Sequence, residues 1–387
     1  MEMDGADVEV MSRRNFLRAC VAGACAMPLA TAACSAAQGK VRVEYGGIFY
    51  KKEARHWQKG ANHMVTCALC PRGCAVPDGE RGYCGVRENR GGTYYTLVWG
   101  NPCSLQIDPI EKKPLFHVMP GARAFSVATA GCNMKCKFCQ NWNISQVRPE
   151  QTRNFDLPPA ALVKVAADRG CKAIAFTYNE PTIFYEYMYD IAKLAQEKKI
   201  KPVMVSNGFM NKDPMTELCK VLSAVKIDLK AFTQEFYKNL TGGRLRPILE
   251  TLSLLKKRGM WFEIVNLIVP TMNDKPADLR AMCKWIKKDL GPDVPLHFSV
   301  FYPRYKLRNL PRTPEKTMFA AYDIAREEGL NYVYLGNLRR AGHKTEQTYC
   351  PNCGKIVVGR RGYRVTSVNI KDGKCASCGQ VIAGVWN

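Results

Sequence analysis

Ala124–Ser145, AFSVATAGCNMKCKFCQNWNIS, decides how this chain is read. A short apolar run leads into small residues and Gly131, and then come Cys132, Cys136 and Cys139 in the spacing C-x3-C-x2-C. Among 18 cysteines in 387 residues, chance supplies about one lone C-x-x-C but only about 0.04 copies of the longer spacing. Cuboidal iron–sulfur clusters normally take four thiolates, and structural zinc takes four ligands. Three cysteines at a strand end therefore leave one coordination position open, which marks a reactive centre rather than a closed structural one. A zinc site completed by a distant histidine is the competing reading.

Downstream the pattern repeats. Apolar runs at "KAIAFTY", "KPVMVSN", "AVKIDLK", "WFEIVNLIVP", "LHFSVFYP" and "NYVYLGN" end in polar or glycine-rich loops. Helical stretches fall between them near 158–169, 182–199, 213–223, 245–258, 275–289 and 314–329. Strand–helix alternation without hairpin turns predicts an α/β fold of parallel strands with crossover helices, curled into a partial or full (β/α) barrel. Its chemistry gathers at the C-terminal ends of the strands. An open doubly wound sheet is the alternative, and the lack of G-x-G-x-x-G after the first run weakens a nicotinamide reading. The aromatics of "TIFYEYMYDIAKLAQEKK", Thr182–Lys199, read as packing against the sheet.

Two further cysteine groups flank this body. Cys67, Cys70, Cys74 and Cys84 form a C-x2-C-x3-C-x9-C knuckle, a complete set for zinc or for an auxiliary iron–sulfur cluster. Cys350, Cys353, Cys375 and Cys378 sit in two C-x-x-C-G knuckles around a strand-rich hairpin, a zinc-ribbon pattern. A disulfide scaffold belongs to small secreted domains and does not suit this length. The expected order is a signal-like segment at 1–40, an N-terminal cysteine-knuckle module at 41–121, the barrel at 122–340 and a C-terminal zinc ribbon at 341–387. The net charge of +23 falls to roughly +18 once the cysteine sites are metallated, so the surface stays basic and suits an acidic protein, a nucleic acid or a membrane surface. Arg360, Arg361 and Arg364 in the ribbon add to that expectation.

The start of the chain is different in kind. "SRRNFLRAC", Ser12–Cys20, precedes an uncharged, alanine-rich run, Ala19–Gly39. Paired arginines before a weakly apolar segment resemble a twin-arginine export signal. Cys34 in "LATAACS" is a candidate for lipidation, although Thr31 stands where an aliphatic residue is usual. Alanine and glycine make a poor membrane anchor, so no spanning helix is expected.

The cysteine loop, with Phe138 before its third cysteine, resembles the signature of radical S-adenosylmethionine enzymes. Together with "CALCPRGC", "GYCGVREN", "DPIEKKPLFHVMPG", "FTYNEPTIFYEY", "HFSVFYPRYKL" and "TYCPNCGK", it resembles the radical SAM component of AmmeMemoRadiSam systems, related to pyruvate formate-lyase activating enzymes. The likeness runs from about residue 62 to 380. It implies a 4Fe–4S cluster on Cys132, Cys136 and Cys139, with S-adenosylmethionine chelating the fourth iron. It also implies that Glu180, supported by Asn179, takes the cofactor's ammonium group, and that Ser206 and Asn207 bond its ribose or carboxylate. Asp228 and Lys230 match the Asp-Leu-Lys of glycyl-radical-enzyme activases. Asn266, His297 and Asn337, near later strand ends, are candidates for facing substrate. The implied partners are a flavodoxin- or ferredoxin-like electron donor, the system's companion proteins, and a substrate that is a protein activated to a glycyl radical, an RNA or a small molecule. The export-like segment conflicts with the cytoplasmic setting this chemistry suggests. The remaining rival is a non-catalytic zinc-binding protein.

Overall fold

The structure, a computed structural model, describes residues 41–338 and 344–387. The signal-like segment and Cys34 lie outside the described residues. Eight strands form one sheet in unbroken chain order: β1 (Ser104–Pro109), β2 (Arg123–Ala128), β3 (Ala173–Phe176), β4 (Lys201–Ser206), β5 (Ala224–Asp228), β6 (Phe262–Ile268), β7 (Leu296–Val300) and β8 (Val333–Gly336). Strands β2 to β8 run parallel, and β1 pairs antiparallel with β2. β1 and β8 are the two edges of the sheet, so the barrel is partial.

The parallel strands are apolar on both faces because helices cover one side and packed side chains fill the other. Every residue of β3 is buried. Helices α1 (Pro159–Asp168), α2 (Tyr185–Glu197), α3 (Lys212–Leu218), α4 (Leu245–Lys257), α5 (Pro276–Trp285) and α6 (Glu315–Glu327) make the crossovers. Tyr185, Tyr187, Met188 and Ile191 of α2 are fully buried, so its aromatics are packing residues. The sheet begins earlier than the sequence reading places it. β1 lies inside the segment assigned to the knuckle module, because only Leu105 and Asp108 of its six residues are buried, which marks a half-covered edge strand rather than a core run.

Residues between β1 and β2 cross the floor of the barrel. The backbone N–H groups of Phe116 and His117 donate to the Glu263 carboxylate at 3.0 and 2.8 Å. The ribbon seats against the same floor: Phe116, Tyr332, Tyr334, Cys350, Val357, Cys375 and Ile382 form one buried cluster. Arg360 is buried there, donating to Phe116 O at 2.5 Å and Thr348 Oγ1 at 2.8 Å. The expectation that Arg360 meets an acidic partner is therefore corrected: its guanidinium lies over the Phe116 ring and is spent inside the protein. Arg361 and Arg364 are exposed.

The knuckle module is a set of short antiparallel pairings. Val65–Cys67 lies between Trp57–Lys59 and Ala75–Val76, and Arg87–Arg90 pairs with Thr93–Thr96. It is riveted to α2 by Arg87 and Glu186, an ion pair in which both side chains are about 1% exposed.

Candidate active site

The ends of β2, β3 and β4 lie side by side, with Val127 opposite Phe176 and Phe176 opposite Met204. The cysteine loop springs from β2. Gly131 has φ +91°, and a Cβ there would sit 2.6 Å from Val86 Cγ1 and 2.7 Å from Cys84 O, so the loop needs glycine to pass under the knuckle module. Cys136 is buried, and Cys132 and Cys139 are half-buried. Burial, with the nearby Glu180 carboxylate second, pushes the Cys132 thiol far up, and burial pushes Cys136 up to about 12. Such thiols become thiolates only when a cation replaces the proton, which is what iron does.

Glu180 is the pivot of the neighbouring strand ends. It is about 1% exposed. Its Oε1 accepts from Thr182 N (3.0 Å), Thr182 Oγ1 (2.7 Å) and Ser206 Oγ (2.7 Å), and its Oε2 accepts from Asn207 N (2.8 Å). All four donors are uncharged, so burial still pushes the carboxyl up. A buried carboxylate held by neutral donors is poised for a cationic ligand. Tyr178, two residues earlier, holds φ +70°, a strained conformation for a bulky side chain and one that recurs at functional sites.

The residues around Glu180 brace it and the loop. Asn179 Nδ2 donates to Thr129 O (2.7 Å) and Gly131 O (2.9 Å), while its buried Oδ1 has no partner among the described residues. Asn207 Nδ2 donates to Asn133 Oδ1 at 2.9 Å, and Asn133 Nδ2 to Phe209 O at 2.8 Å. Ser206 and Asn207 thus donate to Glu180 and the loop, while Ser206 Oγ and Asn207 Oδ1 accept from Gly208 N and Phe209 N. Asn133 was not singled out from the sequence, although its place beside Cys132 was the available signal.

At the end of β5, Asp228 pairs with Lys226 and, at 2.9 Å, with Lys230. Burial opposes its charge, but the two ammonium groups outweigh it and hold the carboxyl far below its usual range. Lys230 Nζ lies 6.0 Å from the Phe138 ring centre, and its charge pulls against the upward push on Cys136. Phe138 is itself buried against Phe236. Lys226 was missed because a lysine within an apolar run gives no warning that it points inward.

The three substrate-side candidates part company. His297 is the second residue of β7, deep in the floor, where Nε2 meets Glu263 Oε2 at 2.7 Å and the ring stacks on Tyr334. Asn266 faces the helix layer, donating to Leu229 O at 2.8 Å and meeting Met282 of α5. His297 is corrected to a structural role, because its ring is bound in the floor away from the strand ends; Asn266 braces the chain just past β5, and its buried Oδ1 has no partner among the described residues. Asn337 is exposed at the mouth, with φ +63°, and its Nδ2 donates to Ser299 Oγ at 2.9 Å. The mouth also carries a pair the sequence did not reveal: Trp142, exposed, stacks on Tyr305 at 5.4 Å and 11°.

The ribbon differs from the loop. Cys350, Cys353, Cys375 and Cys378 are, among the described residues, the one set of three or more candidate ligands whose donor atoms all lie within 4.8 Å of one another. Cys350 Sγ is 3.5 Å from Cys378 Sγ, and Cys353 Sγ is 3.8 Å from Cys375 Sγ. A tetrahedral zinc with 2.3 Å bonds needs thiolates about 3.8 Å apart. The Gln380 N–H, first among several donors, pulls the Cys378 thiol down to about 6, towards the form that binds metal.

Comparisons with known proteins show what this chain is similar to. A family model described as the radical SAM superfamily matches residues 126–286. The uncharacterized protein MJ0808 of Methanocaldococcus jannaschii is 43% identical over 333 residues, spanning 86% of this chain and 98% of that protein. The pyruvate formate-lyase-activating enzyme of Clostridium pasteurianum is 28% identical over 171 residues, spanning 43% of this chain and 71% of the enzyme. A solved radical SAM methyltransferase from Sphaerobacter thermophilus aligns over 56% of this chain and 67% of its own, with 14% identity and a TM-score of 0.45.

Proposed function

This chain belongs to the radical SAM superfamily and is an enzyme, and from that premise we propose that it cleaves S-adenosylmethionine reductively and abstracts hydrogen from a substrate at the barrel mouth. The superfamily implies a 4Fe–4S cluster and S-adenosylmethionine. Bound together they supply the 5′-deoxyadenosyl radical; the protein's part is to hold, orient and exclude water. Cys132, Cys136 and Cys139 would hold the iron. Glu180 would take the cofactor's ammonium group on Oε2, whose one protein donor leaves acceptor capacity, and Asn179 Oδ1 would offer a second acceptor. Ser206, Thr182 and Asn207 fix the Glu180 carboxylate, so that it meets the ligand without reorganising. Lys226 and Lys230 keep Asp228 ionised at the inner edge of the site. A low-potential one-electron donor of the flavodoxin or ferredoxin type is part of the reading, as is zinc in the ribbon.

The observation that carries the proposal is the buried Glu180 carboxylate, held only by neutral donors, beside the three-cysteine loop, where burial keeps Cys132 and Cys136 protonated in the absence of a metal. The experiment is anaerobic iron reconstitution, dithionite reduction and measurement of 5′-deoxyadenosine. Wild-type protein should form it, and Cys136→Ala should not. No product from the wild type, or equal product from both, overturns the reading.

Between the substrate classes, a polypeptide is the better supported. Asp228 and Lys230 share the activase Asp-Leu-Lys, and a relative of this chain carries the name pyruvate formate-lyase-activating enzyme. Arg360, one of the groups that suggested RNA, is buried in the floor. Deuterium passing from a partner polypeptide into deoxyadenosine supports activation, whereas salt-sensitive RNA binding with deuterium transfer from RNA replaces it.

A further inference from the structure

We propose that Cys67, Cys70, Cys74 and Cys84 hold a second 4Fe–4S cluster, not zinc. The chain carries its own calibration. In the ribbon, four thiols with a zinc-ribbon sequence close to mutual distances under 4.8 Å. The knuckle thiols do not draw in to that spacing, and neither do Cys132, Cys136 and Cys139. A single ion brings its thiolates almost into contact, whereas a cubane of four irons and four sulfides separates them by its own width. By this measure the knuckle resembles the cysteine loop and not the ribbon.

The surroundings suit a cluster. Cys67 and Cys70 are buried, and Cys74 and Cys84 are half-buried, so all four sulfurs are shielded from bulk water to the degree seen at the cysteine loop.

The module is also built onto the catalytic loop. Cys84 O lies against Gly131, and Arg72 Nε donates to Asn133 O at 2.6 Å. Tyr83, next to Cys84, has Arg72 3.4 Å and Lys135 4.5 Å from its ring centre. On the far side, Cys70 lines a surface groove of about 800 Å³ with Lys212, Arg244, Arg246 and Trp285. The proposed cluster thus lies between a basic surface groove and the catalytic loop.

The test counts metals and does not depend on turnover. Full-length protein, reconstituted anaerobically, should hold about eight irons and about one zinc per chain. The variant Cys132→Ala/Cys136→Ala/Cys139→Ala should keep about four irons, remain brown and give a one-electron-reduced paramagnetic signal with dithionite. A wild-type content of about four irons with about two zincs, or a triple variant that binds no iron while melting as the wild type does, overturns the proposal. Should the triple variant fail to fold, the wild-type count decides. If the catalytic reading fails instead, the triple variant still keeps its irons, so the two failures are distinct.

Discussion

Replacing Glu180 with Gln probes the proposed cofactor contact at one atom pair. The substitution keeps the shape, and it keeps an amide oxygen to accept from Thr182 N, Thr182 Oγ1 and Ser206 Oγ, the three donors on Oε1. It removes the charge and turns Oε2 from an acceptor into an NH2 facing Asn207 N. Leaving that N–H unpaired costs about 1–3 kcal/mol. Removing a buried charge that no cation compensates offsets this, so the fold should hold. Ligand binding has no such offset. A hydrogen bond to a charged group contributes about 1.5–3 kcal/mol, which is roughly a 10- to 150-fold loss of S-adenosylmethionine affinity. Equilibrium dialysis of anaerobically reconstituted protein reads this directly, with iron content as the control. Acidity adds a second signature. The carboxylate must be ionised to take an ammonium group, and burial sets its pKa above the ordinary 4.5. Wild-type affinity should therefore be full above that raised pKa and fall as pH drops through it, while Glu180→Gln should show no such fall. An affinity change under about threefold, with iron content intact, refutes the assignment of Glu180 to the ammonium group.

Four other outcomes are expected. Arg87→Met strands the Glu186 carboxylate in the core and should cost about 3–5 kcal/mol in denaturant unfolding, most of it recovered in Arg87→Met/Glu186→Leu; equal losses in the single and double variants would contradict this. Gly131→Ala should cost about 2–3 kcal/mol and lower iron content, since the new Cβ meets Cys84 O and Val86 at a strained φ; unchanged melting and iron would sink the close-packing argument. Burial holds the His117 imidazole down at about 4 against an ordinary 6.5, so the unfolded chain binds more protons in that window and stability should drop by about 3 kcal/mol on acidification from 6.5 to 4; His117→Gln should flatten that part of the curve. Cys375→Ser should abolish stoichiometric zinc and lower the melting temperature, because Cys375 belongs to the buried cluster that seats the ribbon on the floor; zinc retained at one per chain would remove the ribbon from consideration.

Much of this architecture is legible in the sequence because its signals are local. Apolar runs ending in polar loops mark seven parallel strands, and cysteine spacing marks the reactive loop and the ribbon. What is illegible is which way a side chain points. In a strand buried on both faces, apolar residues fill every position and the period-two signal that separates inside from outside vanishes. Asn266 and Glu263 lie in one such run, yet Asn266 turns to the helices and Glu263 to the floor. Lys226 and His297 were unreadable for the same reason. β1 was missed for the opposite cause: it alternates, but in a segment whose cysteines had claimed it for another module. Arg360 reads as a surface charge until its partners, Glu111 and Phe116, are brought to it from more than two hundred residues away.

That last separation bears on how the chain is made. Arg360 meets Phe116 across 244 residues, and His117 meets Ala383 O, at 2.6 Å, across 266. The cysteine loop, Glu180, Ser206, Asn207 and Asp228 all precede Thr241, whose carbonyl accepts from Lys135 N, and later residues add the Lys306 N bond to Lys137 O and the Tyr305 stack on Trp142. During N-to-C synthesis the cysteine loop and the strand ends of β2 to β5 are made long before the floor is complete. Closing so long a loop carries an entropic cost that only the last-synthesised residues can offset, and contacts of such high order are slow to form. The ribbon therefore acts as a late latch: the barrel can gather its three loop cysteines first and is locked from beneath only when the ribbon is made.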